Sequence, residues 1–321
     1  MTPEQVVADP DHVLGSIAAE GLLAADRPVV VMLSGGRDSV CLLDLAVRIA
    51  GPAAVTALHL NYGLRDGSDE DQRHCQFLCK RLGVELSLRR APPPGRGNLQ
   101  AWARELRYRA AAELARDARA DVAVGHTATD QVETILYRLA SSPSRRALLG
   151  MRSREPLPVQ PRAWLVRPLL ALTRTDTATY CRARELAFVE DETNEQDRFA
   201  RSRVRNGLVP ALRAVHPAAE QNVLALAELL RDEAEVLEEL LADVLAGATE
   251  VPLARLRLLN RALARLVVQE LADAAAGGLA PGAARRLEEL LALPEDRTAA
   301  LDLPHGVRAI AERGALRFVR R

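Results

Sequence analysis

The chain has 321 residues, 48% of them hydrophobic and 27% charged, and its formal net charge is zero. These values are typical of a globular protein and exclude a disordered chain, while the length predicts one larger and at least one smaller domain. Without a long apolar run or a leader-like N-terminus, we expect a cytoplasmic protein with no membrane partner. Since the net charge provides no general basic surface, any nucleic-acid site must come from local clusters of arginine.

Strands and helices alternate along the first 140 residues. We predict a helical lead-in at 1–27, strands at 29–33, 54–60, 85–89 and 121–124, and helices at 38–50, 69–82, 98–119 and 129–140. The first strand is apolar on both faces, as in the centre of a parallel sheet, and Asp38 or Ser39 is expected to cap the helix after it. The alternation predicts an α/β fold with a doubly wound parallel sheet, whose ligands bind at the carboxyl ends of the strands.

The pattern changes after residue 140. The segment 141–161 is rich in Ser, Pro and Arg and is predicted to be a mobile loop. Helices are predicted at 172–188, at 218–246 and as two helices within 253–293, followed by two short strands at the end of the chain. We therefore expect a catalytic domain at 1–215 and a smaller, mainly helical, substrate-binding domain at 216–321. The helices at 218–293 either supply a homodimer interface or simply pack as a domain.

The strongest chemical signal is the segment VVVMLSGGRDS at 29–39. Two glycines after a strand let backbone N–H groups approach an anion, two serines add hydroxyl donors, and the next helix directs its positive end at the same point. A carboxylate is unusual in an anion-binding site unless it holds Mg²⁺ that is also coordinated by the phosphates. The alternative is a tight turn capped by the aspartate. The predicted phosphate cradle consists of Ser34, Gly35, Gly36, Arg37, Asp38 and Ser39.

The cradle SGGRDS resembles the pyrophosphatase loop of the N-type ATP pyrophosphatases, or PP-loop proteins, which have an adenine nucleotide alpha hydrolase-like fold. Three further segments narrow the resemblance to the tRNA(Ile)-lysidine synthetases of the short form. These segments are HLNYGLR at 59–65, ARELRY at 103–108 and GHTATDQVET at 125–134, which are similar to the family's HVNHGLR, REARY and GHHxDDQxET. Further matches in the family's order extend to residue 212, and beyond it only the general character agrees.

The resemblance implies a definite reaction and its partners. ATP adenylates the carbonyl oxygen at carbon two of the wobble cytidine in the CAU anticodon of an isoleucine tRNA. The amine of free L-lysine then attacks that carbon and expels AMP, which gives lysidine. The protein would thus be an ATP-dependent ligase that uses Mg²⁺, with tRNA(Ile) and L-lysine as its partners.

The resemblance also assigns roles to residues. Asp130 and Glu133 are at i and i+3 of a predicted helix and hence on one face, where the family contacts lysine and where a carboxylate can help to deprotonate the amine. Their alternative role is to complement the helix dipole. The residues assigned to ATP are the cradle, His59, Arg65 and His126. The residues assigned to catalysis are Asp38, which also holds the metal, Arg107, Asp130 and Glu133.

Arginines in two later segments are candidates for contacts with tRNA phosphates, which position a nucleic acid rather than specify its sequence. They are Arg145, Arg146, Arg152, Arg201, Arg203 and Arg205. The alternative for each cluster is a solvated face. A base that undergoes chemistry must be unstacked and inserted into a pocket, and few aromatic residues are available to stack on it. The candidates for stacking are Tyr62, Tyr137 and Trp164.

Four positions depart from the family pattern, which leaves alternatives open. Tyr62, Thr127, Thr129 and Ser202 stand where the family has His, His, Asp and Asn. A catalytically degenerate binding protein is therefore one alternative, although the three acidic residues assigned above are retained. A tRNA 2-thiolase of the same superfamily is another, but Cys75 and Cys79 lack the spacing of paired cluster ligands. An amidotransferase-type synthetase would need a glutaminase domain, and none is visible.

Overall fold

The computed structural model describes residues 9–64, 67–95, 97–142, 145–190 and 200–321. The chain forms two compact units, of which one comprises Met1–Ala140 and Gly150–Leu224 and the other Ser141–Leu149 and Ala225–Arg321. The functional boundary expected after residue 215 stays a prediction. No helix within the described ranges combines the length and the apolar character needed to cross a bilayer.

The first unit is built on a six-stranded sheet with the order β3-β2-β1-β4-β6-β5. Its strands are β1 Val29–Met32, β2 Val55–Asn61, β3 Glu85–Arg90, β4 Asp121–Ala123, β5 Arg154–Leu157 and β6 Gln160–Val166. Neighbouring strands from β3 to β6 are parallel, and only the edge strand β5 runs antiparallel to its neighbour. The predicted mostly parallel sheet is confirmed.

The helices of the first unit include those that pack on the two faces of this sheet. They are α1 Pro10–Ala19, α2 Arg37–Ala50, α3 Ser68–Leu82, α4 Leu99–Ala118, α5 Ala128–Ser141, α6 Arg174–Ala183, α7 Ala200–Arg203, α8 Val209–Val215 and α9 Ala219–Leu245, which continues into the second unit's range. Strand β1 shows why each face of the sheet is covered by helices. Val29 and Val31 pack in one apolar cluster with α2, and Val30 packs in another with α4. An alternating side-chain direction thus places a fully apolar strand at the centre of the sheet.

The prediction that 141–161 is a loop throughout is wrong. It contains a 3₁₀ turn at Arg145–Ala147, all of β5 and the start of β6. The antiparallel pair β5–β6 has an irregular register between Pro156 and Leu157. Proline removes a backbone donor but is tolerated on an edge strand, and β5 is at the edge of the sheet. The prolines that indicated a loop are therefore compatible with a strand.

The second unit contains the predicted C-terminal helices and a four-stranded antiparallel sheet with the order β7-β10-β9-β8. Its further elements are β7 Glu250–Pro252, α10 Leu253–Leu258, α11 Arg261–Ala276, a 3₁₀ turn at Ala283–Arg286, α12 Leu287–Leu291, β8 Ala299–Leu303, β9 Val307–Glu312 and β10 Ala315–Arg320. The chain end forms three strands rather than the predicted two, because positive φ angles at His305 and Arg313 produce two turns. The segment 253–293 is also divided once more than predicted, where Asn260 caps α11 by accepting from the N–H of Leu263 at 2.8 Å.

Candidate functional site

A cavity of about 620 Å³ lies at the carboxyl ends of β1, β2 and β4 in the first unit. Strand β1 is flanked by β2 on one side and β4 on the other, so the strand order reverses here, which is where doubly wound sheets bind ligands. The charged side chains that line this cavity are Arg37, Arg104, Arg107, Arg174, Arg205, Asp38 and Asp130. With five arginines and two aspartates, its lining favours an anionic ligand. We call it the phosphate-side cavity.

Two glycines give the cradle its shape. Gly35 has a φ of +89°, and a Cβ there would lie 3.3 Å from the Sγ of Cys75. Gly125, two residues after the end of β4, meets the first turn of α2, and a Cβ at this position would lie 2.9 Å from the carbonyl oxygen of Asp38. The absence of side chains therefore permits a close approach between the start of α2 and the end of β4.

The serines of the cradle hold the loop rather than cap the helix. The hydroxyl of Ser39 donates to the carbonyl of Gly36 at 2.8 Å and accepts from the N–H of Ser34 at 3.2 Å. The expectation that Asp38 or Ser39 caps α2 is wrong, because the N-cap is Gly36 and no side chain caps the helix there. The first N–H groups of a helix have no acceptor within it, so those of α2 are suited to phosphate oxygens.

Asp38 projects into the phosphate-side cavity from the first turn of α2. Its Oδ1 accepts from the hydroxyl of Thr177 at 2.5 Å, and its Oδ2 lies 3.9 Å from the Nε of Arg174. Burial raises the pKa of Asp38, and the hydrogen bond from Thr177 opposes that effect. Within the described ranges no three His, Cys, Asp or Glu side chains cluster to hold a metal. One carboxylate at a phosphate cradle still fits Mg²⁺, which usually takes one or two carboxylates plus substrate oxygens.

Asp130 and Glu133 lie side by side on α5, as their spacing predicts, and both contact arginine. Arg174 Nη2 donates to Asp130 Oδ1 at 2.6 Å, and its Nη1 donates to Glu133 Oε1 at 3.0 Å. The other oxygen of Asp130 accepts from the backbone N–H and the hydroxyl of Thr127, each at 2.9 Å. Burial alone would raise the pKa of Asp130, but Arg174 and Thr127 outweigh it and the pKa is lowered.

Arg174 is the central residue that sequence reasoning missed. It occupies the first position of α6, directly after Thr173, which forms a reciprocal capping box with Asp176. A cation is unfavourable at this end of a helix because the helix dipole is positive there. An arginine behind a strong N-cap is therefore a signal that the side chain has a partner elsewhere in the fold.

Arg205, whose predicted contact with tRNA stays a prediction, lies at the phosphate-side cavity. Its Nε and Nη2 donate to the two oxygens of Glu133 at 2.7 and 3.1 Å. Burial would lower the pKa of Arg205, but Glu133 outweighs it and the pKa is raised. The residue belongs to a π-helical turn at Val204–Leu208 between α7 and α8. Such turns are frequent at functional sites because they redirect one side chain from its helical position.

His126 lies at the end of β4 with a fixed hydrogen-bond partner. Its Nδ1 accepts from the Nε of Arg167 at 3.2 Å. Arg167 is itself only 2% exposed and is held by Glu155 at 2.5 Å and by the carbonyl of Arg152 at 2.6 Å. Burial lowers the pKa of His126 to about 4, and Arg167 adds to this effect. The imidazole is therefore neutral with its proton on Nε2, so in the phosphate-side cavity it acts as a hydrogen-bond donor.

His59, predicted to contact ATP, lies below the loop and is not among the residues described as lining the phosphate-side cavity. Its Nδ1 donates to the carbonyl of Leu33 at 3.0 Å and lies 3.3 Å from the Sγ of Cys75. Burial lowers the pKa of His59 and raises the pKa of Cys75 to about 12 and that of Cys79 to about 11. All four cysteines are buried, and these pKa values disfavour the thiolates that a metal cluster needs.

The face of α4 forms another wall of the phosphate-side cavity. Arg104 and Arg107 are one turn apart, and the guanidinium of Arg104 lies 4.7 Å from the ring centre of Tyr108. Tyr62 lines the same wall, donates to the carbonyl of Ala103 at 3.0 Å and has its ring centre 5.8 Å from that of Trp102. Two aromatic rings and two cations thus face the space above the cradle.

A second cavity of about 480 Å³ shares Arg174 and Arg205 with the first. Glu133 lines it at this common boundary, and Arg213 and Glu220 form an ion pair in its lining. Apolar residues complete the wall and include Val132, Val209 and Leu224. We call this space, which combines both charge signs with apolar surface, the amine-side cavity.

The remaining predicted arginines are divided between the two units. Arg201 donates to the hydroxyl of Thr134 at 3.2 Å, while Arg146 pairs with Asp273 at 2.8 Å inside the second unit. Arg152 and Arg203 also have interaction partners. Arg65 and the side chain of Arg145 lie outside the described residues. The contacts of these arginines with tRNA stay a prediction.

The comparisons with known proteins identify the family of the chain. Residues 11–212 match the model of the PP-loop domain family. The chain is 36% identical to a tRNA(Ile)-lysidine synthase of Gloeobacter violaceus, over 70% of this chain and 69% of that protein. It is 33% identical to one of Symbiobacterium thermophilum over 97% of this chain and 69% of that protein, and 34% identical to one of Pseudomonas aeruginosa over 66% and 48%.

The chain spans about half to just over two thirds of the length of these relatives. Among solved structures, it resembles the U34-tRNA thiolase NcsA from Methanococcus maripaludis with its [4Fe-4S] cluster, with a TM-score of 0.57 and 16% identity, over 69% of this chain and 79% of that one. This likeness supports the fold alone. The sequence matches, the PP-loop domain and the cradle lead to one conclusion. The chain belongs to the tRNA(Ile)-lysidine synthase family of ATP-binding PP-loop ligases.

Proposed function

We propose that the protein joins L-lysine to carbon two of the wobble cytidine in the CAU anticodon of tRNA(Ile), with ATP as the activating substrate. One observation carries this proposal. A cradle suited to polyphosphate lines one cavity together with the partly buried Asp130, and the buried Glu133, which shares the partner Arg174 with Asp130, lines the neighbouring cavity. The reaction needs both features, since ATP is a polyanion and lysine brings two ammonium groups. The family match supports the same reaction.

ATP is the ligand that best fits the phosphate-side cavity. The backbone N–H groups at the start of α2 and the hydroxyl of Ser34 would hold the outgoing phosphates, and Arg37 and Arg107 would neutralise them. Asp38 would hold Mg²⁺, which neutralises charge on the departing pyrophosphate. The Nε2–H of His126 would donate to an oxygen of the nucleotide or of the cytidine. These contacts orient the α-phosphorus for attack.

The first step uses the cytidine as nucleophile. The oxygen on carbon two attacks the α-phosphorus, a new P–O bond forms, and pyrophosphate leaves with the electrons of the broken bond. Tyr62 offers a ring on which the flipped base can stack. Its neighbour Trp102 and the hydrogen bond to Ala103 fix that ring. The neutral cytidine thereby acquires a good leaving group at carbon two.

The second step uses lysine as nucleophile. In the amine-side cavity, Glu220 and Arg213 would recognise the α-ammonium and α-carboxylate, and the apolar wall would accommodate the methylene chain. The side-chain amine would then lie near Asp130 and Glu133. Loss of its proton to one of these carboxylates frees the lone pair, which attacks carbon two, and AMP leaves with the electrons of the broken C–O bond. The product is lysidine.

A label-transfer assay tests the proposal. The protein is incubated with ATP, Mg²⁺, radiolabelled lysine and unmodified tRNA(Ile) with a CAU anticodon, and the tRNA is treated with base to remove aminoacyl esters. We expect base-stable label that depends on ATP and is lost when the wobble cytidine is replaced by uridine. Pyrophosphate release with another acceptor, but no label, would move the function to a sister enzyme. Neither label nor pyrophosphate with any acceptor would indicate a degenerate binding protein.

A further inference from the structure

Arg174 occupies the place where the proposed reaction needs the substrate amine. Its two terminal nitrogens contact Asp130 Oδ1 at 2.6 Å and Glu133 Oε1 at 3.0 Å. The second oxygen of Asp130 is already taken by Thr127, and Glu133 is held at both oxygens by Arg205. An incoming ammonium group therefore competes with Arg174 for the same two oxygen atoms.

Arg174 is easier to displace than Arg205. Arg205 forms a fork on one carboxylate, with contacts of 2.7 and 3.1 Å to its two oxygens, whereas Arg174 reaches each of two carboxylates through a single nitrogen. The side chain of Arg174 is 21% exposed, so it is not locked by packing. Glu133 is only 3% exposed and needs a positive partner at all times, which Arg205 continues to provide.

The fold offers Arg174 a second position. The residue lines both cavities, and its Nε already lies 3.9 Å from Asp38 in the cradle. A bound polyphosphate carries several negative charges and is a stronger attractor for a guanidinium group than a single carboxylate. A rotation of the side chain towards the phosphates would free Asp130 Oδ1 and Glu133 Oε1.

We infer that Arg174 is a positioning residue that couples the two substrates. It covers the amine site until nucleotide binds, and then moves to the phosphates and opens that site for lysine. This inference rests on the proposed function and adds an order of binding to it. It predicts positive coupling between ATP and lysine, which must be reciprocal because both ligands act on one equilibrium. Lysine would be excluded from an enzyme that has no nucleotide to activate the cytidine.

Calorimetric titration of the full chain with L-lysine tests this coupling. In the wild type, α,β-methylene-ATP with Mg²⁺ is expected to strengthen lysine binding about tenfold or more, within the usual range of coupling energies. In Arg174→Met, lysine is expected to bind the nucleotide-free protein more tightly than it binds the wild type, and the analogue should change that affinity little. A merely structural role would weaken binding instead. Arg182→Met, an exposed change on the same helix, is the matched control and should keep the wild-type coupling.

The outcomes separate the inference from the proposed function. Lysine affinity that is the same with and without the analogue in the wild type would overturn the coupling without the use of any variant. Coupling that persists in Arg174→Met would overturn the role of this side chain. If the wild type transfers lysine to tRNA(Ile) but shows either of these results, the function stands and only the inference fails. If it neither transfers lysine nor binds it in any state, both fail.

Discussion

Replacement of Gly125 by alanine tests how closely the end of β4 must approach the cradle. The new Cβ would lie 2.9 Å from the carbonyl oxygen of Asp38, 3.0 Å from its carbonyl carbon and 3.2 Å from the amide nitrogen of Ser39. Ordinary van der Waals contact begins near 3.4 Å, so α2 and β4 must separate by about 0.5 Å. All three atoms belong to the backbone, so no rotamer change relieves the clash. We expect a loss of about 1–3 kcal/mol in the free energy of unfolding.

The same displacement should impair catalysis. Asp38 and the phosphate cradle move with the start of α2, while His126 and Asp130 follow Gly125 on the other side of the contact. A misplacement of about 1 Å can cost on the order of 100-fold in rate, so half that distance predicts roughly a tenfold loss of kcat/KM for ATP. The assays are urea unfolding and initial rates of lysine transfer to tRNA(Ile). The matched control is Gly15→Ala in α1, where nothing lies within 4 Å.

The control separates the effect of the clash from the effect of any glycine-to-alanine change. In the interior of a helix, alanine is favoured over glycine by about 0.5–1 kcal/mol, so Gly15→Ala should be slightly more stable and fully active. A Gly125→Ala protein with wild-type stability would show that the close approach is not a constraint. A destabilised Gly125→Ala protein that keeps the wild-type kcat/KM for ATP would refute the link between this contact and phosphate placement.

Three further changes test the site. Asp38→Ala should abolish pyrophosphate release at all Mg²⁺ concentrations but leave tRNA binding in a filter assay nearly intact, and normal turnover would contradict the metal assignment. Glu133→Gln breaks a buried ion pair and should lower the free energy of unfolding, measured in urea, by on the order of 3 kcal/mol. The same change should raise the KM for lysine more than the KM for ATP. Equal changes in the two KM values would argue against a contact between Glu133 and lysine. The pKa of His126 is about 4 when folded and 6.5 ordinarily. Its contribution to stability is complete above pH 6.5 and is lost as pH falls towards 4, because only the unfolded chain takes up the proton. The Tm of the wild type should therefore fall more than that of His126→Gln over this range, and parallel curves would contradict the low pKa.

The sheet could be predicted because its signals are local. Val29, Val30 and Val31 are apolar in sequence, and burial on alternate faces follows from the geometry of a strand. The sequence of strand β5 has no comparable apolar run. Pro156 is tolerated in β5 because this strand is at an edge, and that position depends on the finished sheet. Local pattern thus predicts the centre of a sheet better than its edge.

The site shows the same division. The cradle and the pair Asp130 and Glu133 could be found because each is a short motif. Arg174 is 44 residues from Asp130 in sequence, and only the fold brings their side chains together. His59 was assigned to ATP because it is near a strand end, and its side chain is buried and hydrogen-bonded to Leu33, so that assignment stays a prediction. A sequence position identifies the end of a strand but not which neighbours surround it.

A zero net charge does not conflict with two charged substrates of opposite sign, because the arrangement of charges within the site matters more than their sum. The phosphate-side cavity has five arginines against two aspartates, which suits ATP and an RNA backbone. In the proposed reaction, lysine nevertheless brings an ammonium group to the boundary of this positively charged cavity, where the carboxylates of Asp130 and Glu133 would accept its hydrogen bonds. Both carboxylates are already neutralised by arginine. Under the proposed function, we expect such a site to hold the cationic substrate after the anionic one has drawn an arginine away, so the charge balance favours an order in which ATP binds first.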